Sequence, residues 1–372
     1  MRLGLVPVQC LFRSPSRRLS CVLLALINLR TASTLVPLSP SPPTHSLLQP
    51  SVSASAPTPQ RAASSMSSSA PDVRLIDCCV NLADDMFQGR YNDKQKHDPD
   101  FDLVLERATA AGVQRMIGVS GSLSDSQHSI KVAKEWPNVF ATVGVHPTRC
   151  TEFEEAEGGG DEHLGRLLAL AKEGGDRVVA IGEIGLDYDR TQFCDKDVQM
   201  KWFLRQLELA KDVKLPIIFH NRNTGGDFER VVREHREDIS GGVVHSFTGD
   251  VSEMQALCDL GLYIGINGCA LKTEEGLEMA RQVPLNRLVL ETDAPWCGLR
   301  PSGPATKHVK TKFAEVKRDK FVHGTMVKDR QEPAHTLHIA EVLAAVKGVE
   351  LSELAEATYA NTINVLFPAE AA

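Results

Sequence analysis

Residues 178–190 read VVAIGEIGLDYDR. Val178–Ile181 is a short apolar run closed by Gly182, the pattern of a strand buried on both faces. It leads straight into a carboxylate, Glu183, and two more carboxylates, Asp187 and Asp189, follow on a Gly-containing stretch. A single Glu at a strand end is ordinarily a solvated side chain. It acquires meaning if other strands in the chain end in the same way. Asp187 and Asp189 read as turn residues.

From Asp72 onward, apolar runs alternate with longer amphipathic stretches. The strand candidates are Leu75–Val80, Gln114–Val119, Val139–Val145, Val178–Ile181, Ile217–Phe219, Gly242–Val244, Leu262–Ile266 and Leu288–Leu290. Helical periodicity marks Asp100–Ala111, Ser124–Glu135, His163–Glu173, Lys196–Val213, Phe228–His235, Val251–Leu260 and Glu274–Gln282 between or after them. Gly closes several, as in Ala111-Gly112 and Leu260-Gly261. Eight such β-then-α units over about 220 residues predict an α/β fold of the TIM (β/α)8 barrel type. A doubly wound open sheet is the competing arrangement, but no G-x-G-x-x-G follows the first strand. Two more helices, His335–Val346 and Leu351–Phe367, complete a single domain over residues 72–368, the last expected to pack outside the barrel.

A barrel of this kind gathers its chemistry where strands end and βα loops begin. Here the strands run out at Asn81, His146 (GVHP), Glu183, His220 (IIFHNR), His245 (VVHSFTG) and Asp293 (LVLETDAPW). Each has an ordinary reading, as a cap, a core imidazole or a turn former. Six of eight strand ends carrying a ligand-type or proton-transfer group make that set of separate readings implausible. Carboxylates converging on one face repel unless a cation lies between them. A mixed oxygen and imidazole set suits Mg, Mn or Zn rather than a thiolate-only site.

Residues 1–71 are of a different character. Before Pro71 there is no Asp, Glu or Lys, six Arg carry the charge, and Ser, Thr and Pro abound. Such a segment cannot bury enough apolar surface to fold, and reads as a disordered extension of the transit-peptide kind. Cys21–Leu29 also resembles the h-region of a secretory signal, although it is too short to span a bilayer. Met66 offers an alternative start. Mitochondrion or plastid is therefore expected if the extension is a transit peptide, and nucleus or cytoplasm otherwise. Subtracting those six Arg from the formal net charge of −7 leaves a domain of about −13, so any grip on phosphate must be local. The stretch after the eighth strand supplies it, with Lys307, His308, Lys310, Lys312, Lys317, Arg318, Lys320, Lys328 and Arg330. Nine Cys with no CxxC spacing, two of them adjacent in a strand, suggest reduced, mostly buried thiols.

Taken in order, GEIGLDYDR, FHNR, VVHSFTG, YIGINGCALK and ETDAPW resemble the motifs of the TatD-family metal-dependent deoxyribonucleases, most of all their eukaryotic TatD domain-containing type. The resemblance covers Leu75 to Phe367. It implies an amidohydrolase-like barrel, hydrolysis of DNA phosphodiesters with 3′→5′ exonuclease action on single strands or 3′ ends, and divalent metal ligands at Glu183, His220, His245 and Asp293. Glu183 is then the central carboxylate ligand, and Asp293 a ligand that also takes a proton from the attacking water. His146 and Asn81 are expected to serve the substrate, and Trp296 to stack a base. One departure stands out. Where many relatives carry His-x-His at the end of the first strand, this chain has Cys79-Val80-Asn81. One tightly held cation and a second, weaker one follow from that. Two other functions fit the same ligands: a barrel hydrolase for an amide, lactone or ester, and a barrel that binds without catalysis.

Overall fold

The structure is a computed structural model that describes residues 72–371. The expected extension, residues 1–71, lies outside the described residues, as do Cys10 and Cys21.

Eight strands form one parallel sheet in strictly sequential order. They are β1 (Leu75–Val80), β2 (Val113–Gly118), β3 (Val139–Val143), β4 (Val178–Asp187), β5 (Ile217–Arg222), β6 (Gly242–Val244), β7 (Tyr263–Ile266) and β8 (Leu288–Leu290). Closure runs through the segment after β8. Asp293 N–H donates to Cys79 O at 2.9 Å and Asn81 N–H to Ala294 O at 2.8 Å. The buried Asp77 carboxylate clasps the same junction, accepting from Thr292 N–H at 2.9 Å and from its hydroxyl at 2.5 Å.

The helices sit between strands as the periodicity predicts: α1 (Phe101–Ala110), α2 (Leu123–Glu135), α3 (Gly160–Gly174), α4 (Lys196–Val213), α5 (Asp227–Glu234), α6 (Val251–Asp259) and α7 (Glu274–Gln282), followed by α8 (Thr336–Lys347) and α9 (Leu351–Leu366). Their starts are chemically marked. Ser122, Asp195, Asp250 and Thr273 each accept a backbone N–H of the first turn, a contact typically worth ~1 kcal/mol. Helix α4 buries Trp202, Phe203, Leu207 and Ala210, and full burial of a side chain the size of Leu or Phe contributes roughly 1.5–3 kcal/mol.

Strand residues alternate between two apolar clusters, as a period of two requires. Leu75, Met116, Ala141, Ile181, Phe219, Val244, Ile264 and Leu290 join the helices. Ile76, Cys78, Ile117, Val179, Ile218, Val243 and Val289 fill the barrel interior. Here the last helix departs from expectation. It was predicted to lie on the outside, yet Val365, Leu366 and Phe367 belong to the interior cluster. Asn361 fixes it there by donating to Leu285 O and Leu288 O, both at 2.8 Å. The apolar end of α9 thus packs against the barrel at the opening away from the strand C-termini.

β4 is longer than the apolar run predicts. It continues past Glu183 to Asp187, all ten residues buried. Its register against β5 shifts between Gly182 and Ile184, so that Glu183 is the extra residue of a bulge. Bulges of this kind re-aim a side chain. Gly185, with φ +147°, packs so closely on β5 that a Cβ there would strike the His220 carbonyl oxygen.

Candidate metal centre

The bulge turns Glu183 into the mouth of the barrel, where three imidazoles meet one of its oxygens. From Oε1 the distances are 2.6 Å to His220 Nδ1, 2.8 Å to His245 Nε2 and 3.4 Å to His146 Nε2. His146 and His220 also approach each other, at 3.2 Å between ring nitrogens. Burial works to raise the Glu183 pKa, but the charges of His245 and His146 and the hydrogen bonds of His220 and His245 outweigh it and hold it well below the usual carboxylate range. Burial and the neighbouring His220 push His146 down to about 3, against the opposing pull of Glu183 and Asp187. A buried carboxylate faced by ring nitrogens with lone pairs is a donor set that fits a divalent cation.

A second group lies alongside. Cys79, His245 and Asp293 present donor atoms within 4.8 Å of one another, as do His146, Glu183 and His220. Asn81 donates from its amide to Asp293 Oδ1 at 2.8 Å, and Cys297 Sγ lies 3.2 Å from Oδ2. Burial pushes the Asp293 carboxyl up to about 6, with Glu183 and Glu291 adding to it against His245 and Asn81. His245 faces both groups, with Nε2 on Glu183 and Nδ1 at 3.2 Å from Cys79 Sγ and 3.6 Å from Glu291 Oε1.

The structure therefore brings together Glu183, His220, His245 and His146, and sets Asp293 with Asn81 beside them. It does not bring in the two lysines expected to help hold substrate. Lys307 is exposed, with Nζ 3.8 Å from Glu274. Lys310 is exposed too, and its backbone N–H donates to Glu341 at 2.7 Å. Among the described residues, no hydrogen bond or ion pair joins either lysine to the centre.

Two participants escaped the sequence reading. Asp187, taken there for a turn residue, is fully buried at the end of β4, with Oδ2 3.1 Å from His220 Nε2 and 3.0 Å from Arg190. It orients the ring whose other nitrogen meets Glu183, the usual arrangement behind a ligating His. The continuation of β4 beyond Gly185 put it there. Its neighbour Asp189 is exposed, and its carboxylate accepts from the Asn223 amide at 2.8 Å. Glu291 is the other. Buried, it accepts from Ser246 N–H at 2.6 Å and from Asn267 at 2.9 Å, and so fixes the loop that carries His245. A strand end two residues before Asp293 was the available signal.

The cysteines also depart in part from expectation. Cys78, Cys79, Cys150, Cys194 and Cys258 are free and buried. Cys269 and Cys297 are paired, with Cα atoms 5.0 Å apart. Their separation of 28 residues gives no hint of it in sequence, because adjacency of the β7 and β8 loops creates the contact.

A closed parallel barrel with carboxylates and imidazoles converging at its strand ends defines a TIM-barrel hydrolase of the metal-dependent kind. The chain belongs to the family of TatD-related DNases, whose family match covers residues 76–367. It is 42% identical over 299 residues to a Schizosaccharomyces pombe protein named deoxyribonuclease Tat-D, covering 79% of this chain and 96% of that one. It is 32% identical to the 3′-5′ ssDNA/RNA exonuclease TatD of Salmonella typhimurium, covering 77% of this chain and 96% of that one. The crystal structure of a TatD family hydrolase from Entamoeba histolytica superposes with a TM-score of 0.75 at 35% identity, over 80% of this chain and 99% of that one.

Proposed function

We propose that this protein hydrolyses DNA phosphodiesters, removing nucleotides from 3′ ends of single strands, with a divalent cation held at Glu183, His220 and His245. The observation that carries this reading is the meeting of three imidazoles on Glu183 Oε1 at the mouth of a TatD-family barrel. A cation there supplies positive charge against the phosphate oxygens and makes bound water more acidic. Mg or Mn is the proposed occupant, with Zn as the alternative. A second, weaker position lies at Asp293, where Cys79 and Asn81 replace imidazoles.

The chain's own groups do the rest. Glu183 anchors the centre with its charge. Asp187 holds the ring of His220 in place, and Glu291 the loop that carries His245. Asp293 accepts the proton of the attacking water and is oriented by the Asn81 amide. His146, beside Glu183 and His220, faces the scissile phosphate. Trp296 is 40% exposed and its side chain hydrogen-bonds Asp84, so the ring is fixed at the rim for a base to stack on. The barrel's acidity leaves the loop after β8, with Lys307 and Lys310, as the stretch that guides a polyanion inward.

The test is direct. Purified protein is incubated with 5′-labelled single-stranded DNA and Mg²⁺ or Mn²⁺, with and without chelator. A ladder shortened stepwise from the 3′ end, abolished by chelator, is expected. DNA that is bound but stays intact at saturating metal would replace the nuclease reading with a binding one.

Residues 1–65 are proposed to be a targeting extension, since the acid-free, Arg-rich composition resembles a transit peptide. A protein starting at Met66 is expected to melt within about 2 °C of the full chain, because ~1 kcal/mol in a large domain shifts melting by roughly 2–4 °C. A reporter fused behind residues 1–65 is expected to enter an organelle. A purely cytosolic reporter would remove the targeting role.

No helix among the described residues is long and apolar enough to cross a membrane.

A further inference from the structure

We infer that Cys79 and Asp293 form the second cation position with a preference for a thiophilic divalent cation such as Zn²⁺ or Co²⁺, bound through the Cys79 sulfur, rather than Mg²⁺. The inference deepens the metal-dependent reading above and rests on it.

The donors come from the two elements that close the barrel. Cys79 is the penultimate residue of β1 and has no exposed surface. Asp293 follows β8, and its N–H donates to the Cys79 carbonyl at 2.9 Å, so the two residues are locked in register. Their ligand atoms, with that of His245, lie within 4.8 Å of one another. A cation of Zn²⁺ size reaches sulfur at about 2.3 Å and carboxylate oxygen at about 2.0–2.2 Å, a combined reach close to the span of this group.

The roles of the two His245 nitrogens follow from their neighbours. Nε2 faces Glu183 at 2.8 Å and serves the first position with its lone pair. The other nitrogen, Nδ1, lies 3.2 Å from Cys79 Sγ. On binding, the Cys79 S–H bond breaks, the proton leaves to the buffer, and the sulfur electron pair forms the bond to the cation. Asn81 orients the Asp293 carboxylate through Oδ1 at 2.8 Å. Hard Mg²⁺ gains little from sulfur, whereas borderline and soft cations gain most from it. The same exchange of an imidazole for a thiol that weakens this position for Mg²⁺ thus strengthens it for Zn²⁺.

Cobalt gives a readout independent of turnover, because sulfur bound to Co²⁺ produces an intense near-ultraviolet charge-transfer band that oxygen and nitrogen ligands do not. The full chain, stripped of metal and kept reduced, is titrated with Co²⁺. Two equivalents are expected to bind, with the charge-transfer band tracking one of them. Cys79→Ala and Cys79→Ser are both expected to lose the band and to bind that equivalent at least tenfold more weakly, while the visible bands of the first equivalent remain. Two variants are used so that a folding defect in one, seen by circular dichroism, leaves the other to decide. Saturation without a charge-transfer band, or an equal band in Cys79→Ala, overturns the inference while leaving the Glu183 centre standing. Failure of any Co²⁺ to bind overturns both.

Discussion

Glu183→Gln is expected to fold like the parent and to lose at least about 100-fold in metal-dependent nuclease turnover, since changes to partners of metal ligands alone cost 10–100-fold. Gln keeps the volume and one carbonyl oxygen. It removes the charge that three imidazoles share, and an amide nitrogen in place of the second oxygen presents protons where a lone pair was. The first cation position then loses its only anionic protein donor. Folding is spared because Gln keeps the volume of Glu and its amide oxygen can still accept a hydrogen bond. A second measurement separates lost ligation from misfolding. A ligand that binds the native state raises stability by RT ln(1 + [L]/Kd), ~2.7 kcal/mol at a hundredfold excess over Kd. Mn²⁺ should therefore raise the melting temperature of the parent and leave that of Glu183→Gln almost unmoved. Parental turnover in a folded Glu183→Gln protein would remove Glu183 from the centre.

How far such a centre can be read from sequence depends on what each residue interrupts. Val178–Ile181, Gly242–Val244 and Leu288–Leu290 are apolar on both faces because the barrel interior and the helical layer both cover them. Any ionisable residue that ends such a run is conspicuous, and Glu183, His245 and Asp293 were legible for that reason. Asp187 was not, because β4 continues beyond its apolar run, through the bulge at Glu183 and past Gly185, and this carries a residue of turn-like sequence into the core. Glu291 stands two residues before a more obvious candidate. The facing of His245 Nδ1 and Cys79 Sγ joins residues 166 apart, and no local pattern encodes it. Chemistry at strand ends is a local property of the chain. The partners that orient that chemistry are set by which loops closure of the barrel brings together.

The same distinction governs the basic loop after β8, which is tethered by a buried ionic network that has no signature in sequence. Arg330 has no exposed side-chain surface. It grips Asp100 with two parallel bonds of 2.6 and 2.7 Å, reaches Glu332 at 2.8 Å, and donates to Met86 O at 3.1 Å. Arg107 on α1 closes the circuit, 2.7 Å from Glu332 and 3.0 Å from Asp100. Two guanidinium groups thus balance two carboxylates. Burial opposes the ionised Asp100, but Arg330 and then Arg107 outweigh it and hold its pKa below the usual value. Such a group contributes stability above its unfolded pKa, and that contribution is lost as pH falls through the folded value. Arg330→Met keeps the bulk and removes the charge, leaving two buried carboxylates with one cation. Breaking a buried pair in this way costs roughly 3–5 kcal/mol, which is the loss expected in urea denaturation at pH 7. The sign at acid pH reverses. Without Arg330, desolvation raises the Asp100 pKa above its unfolded value, so protonation then favours the native state and the deficit should narrow between pH 7 and pH 5. Asp100→Asn in the Arg330→Met background should recover part of the loss at pH 7 by the same neutralisation. Because the network anchors the loop and not the centre, Co²⁺ bands at Glu183 should be unchanged in folded Arg330→Met, while KM for single-stranded DNA rises. A deficit equally large at pH 5 and pH 7 would mean that Arg330 stabilises the fold through packing and not through its charge.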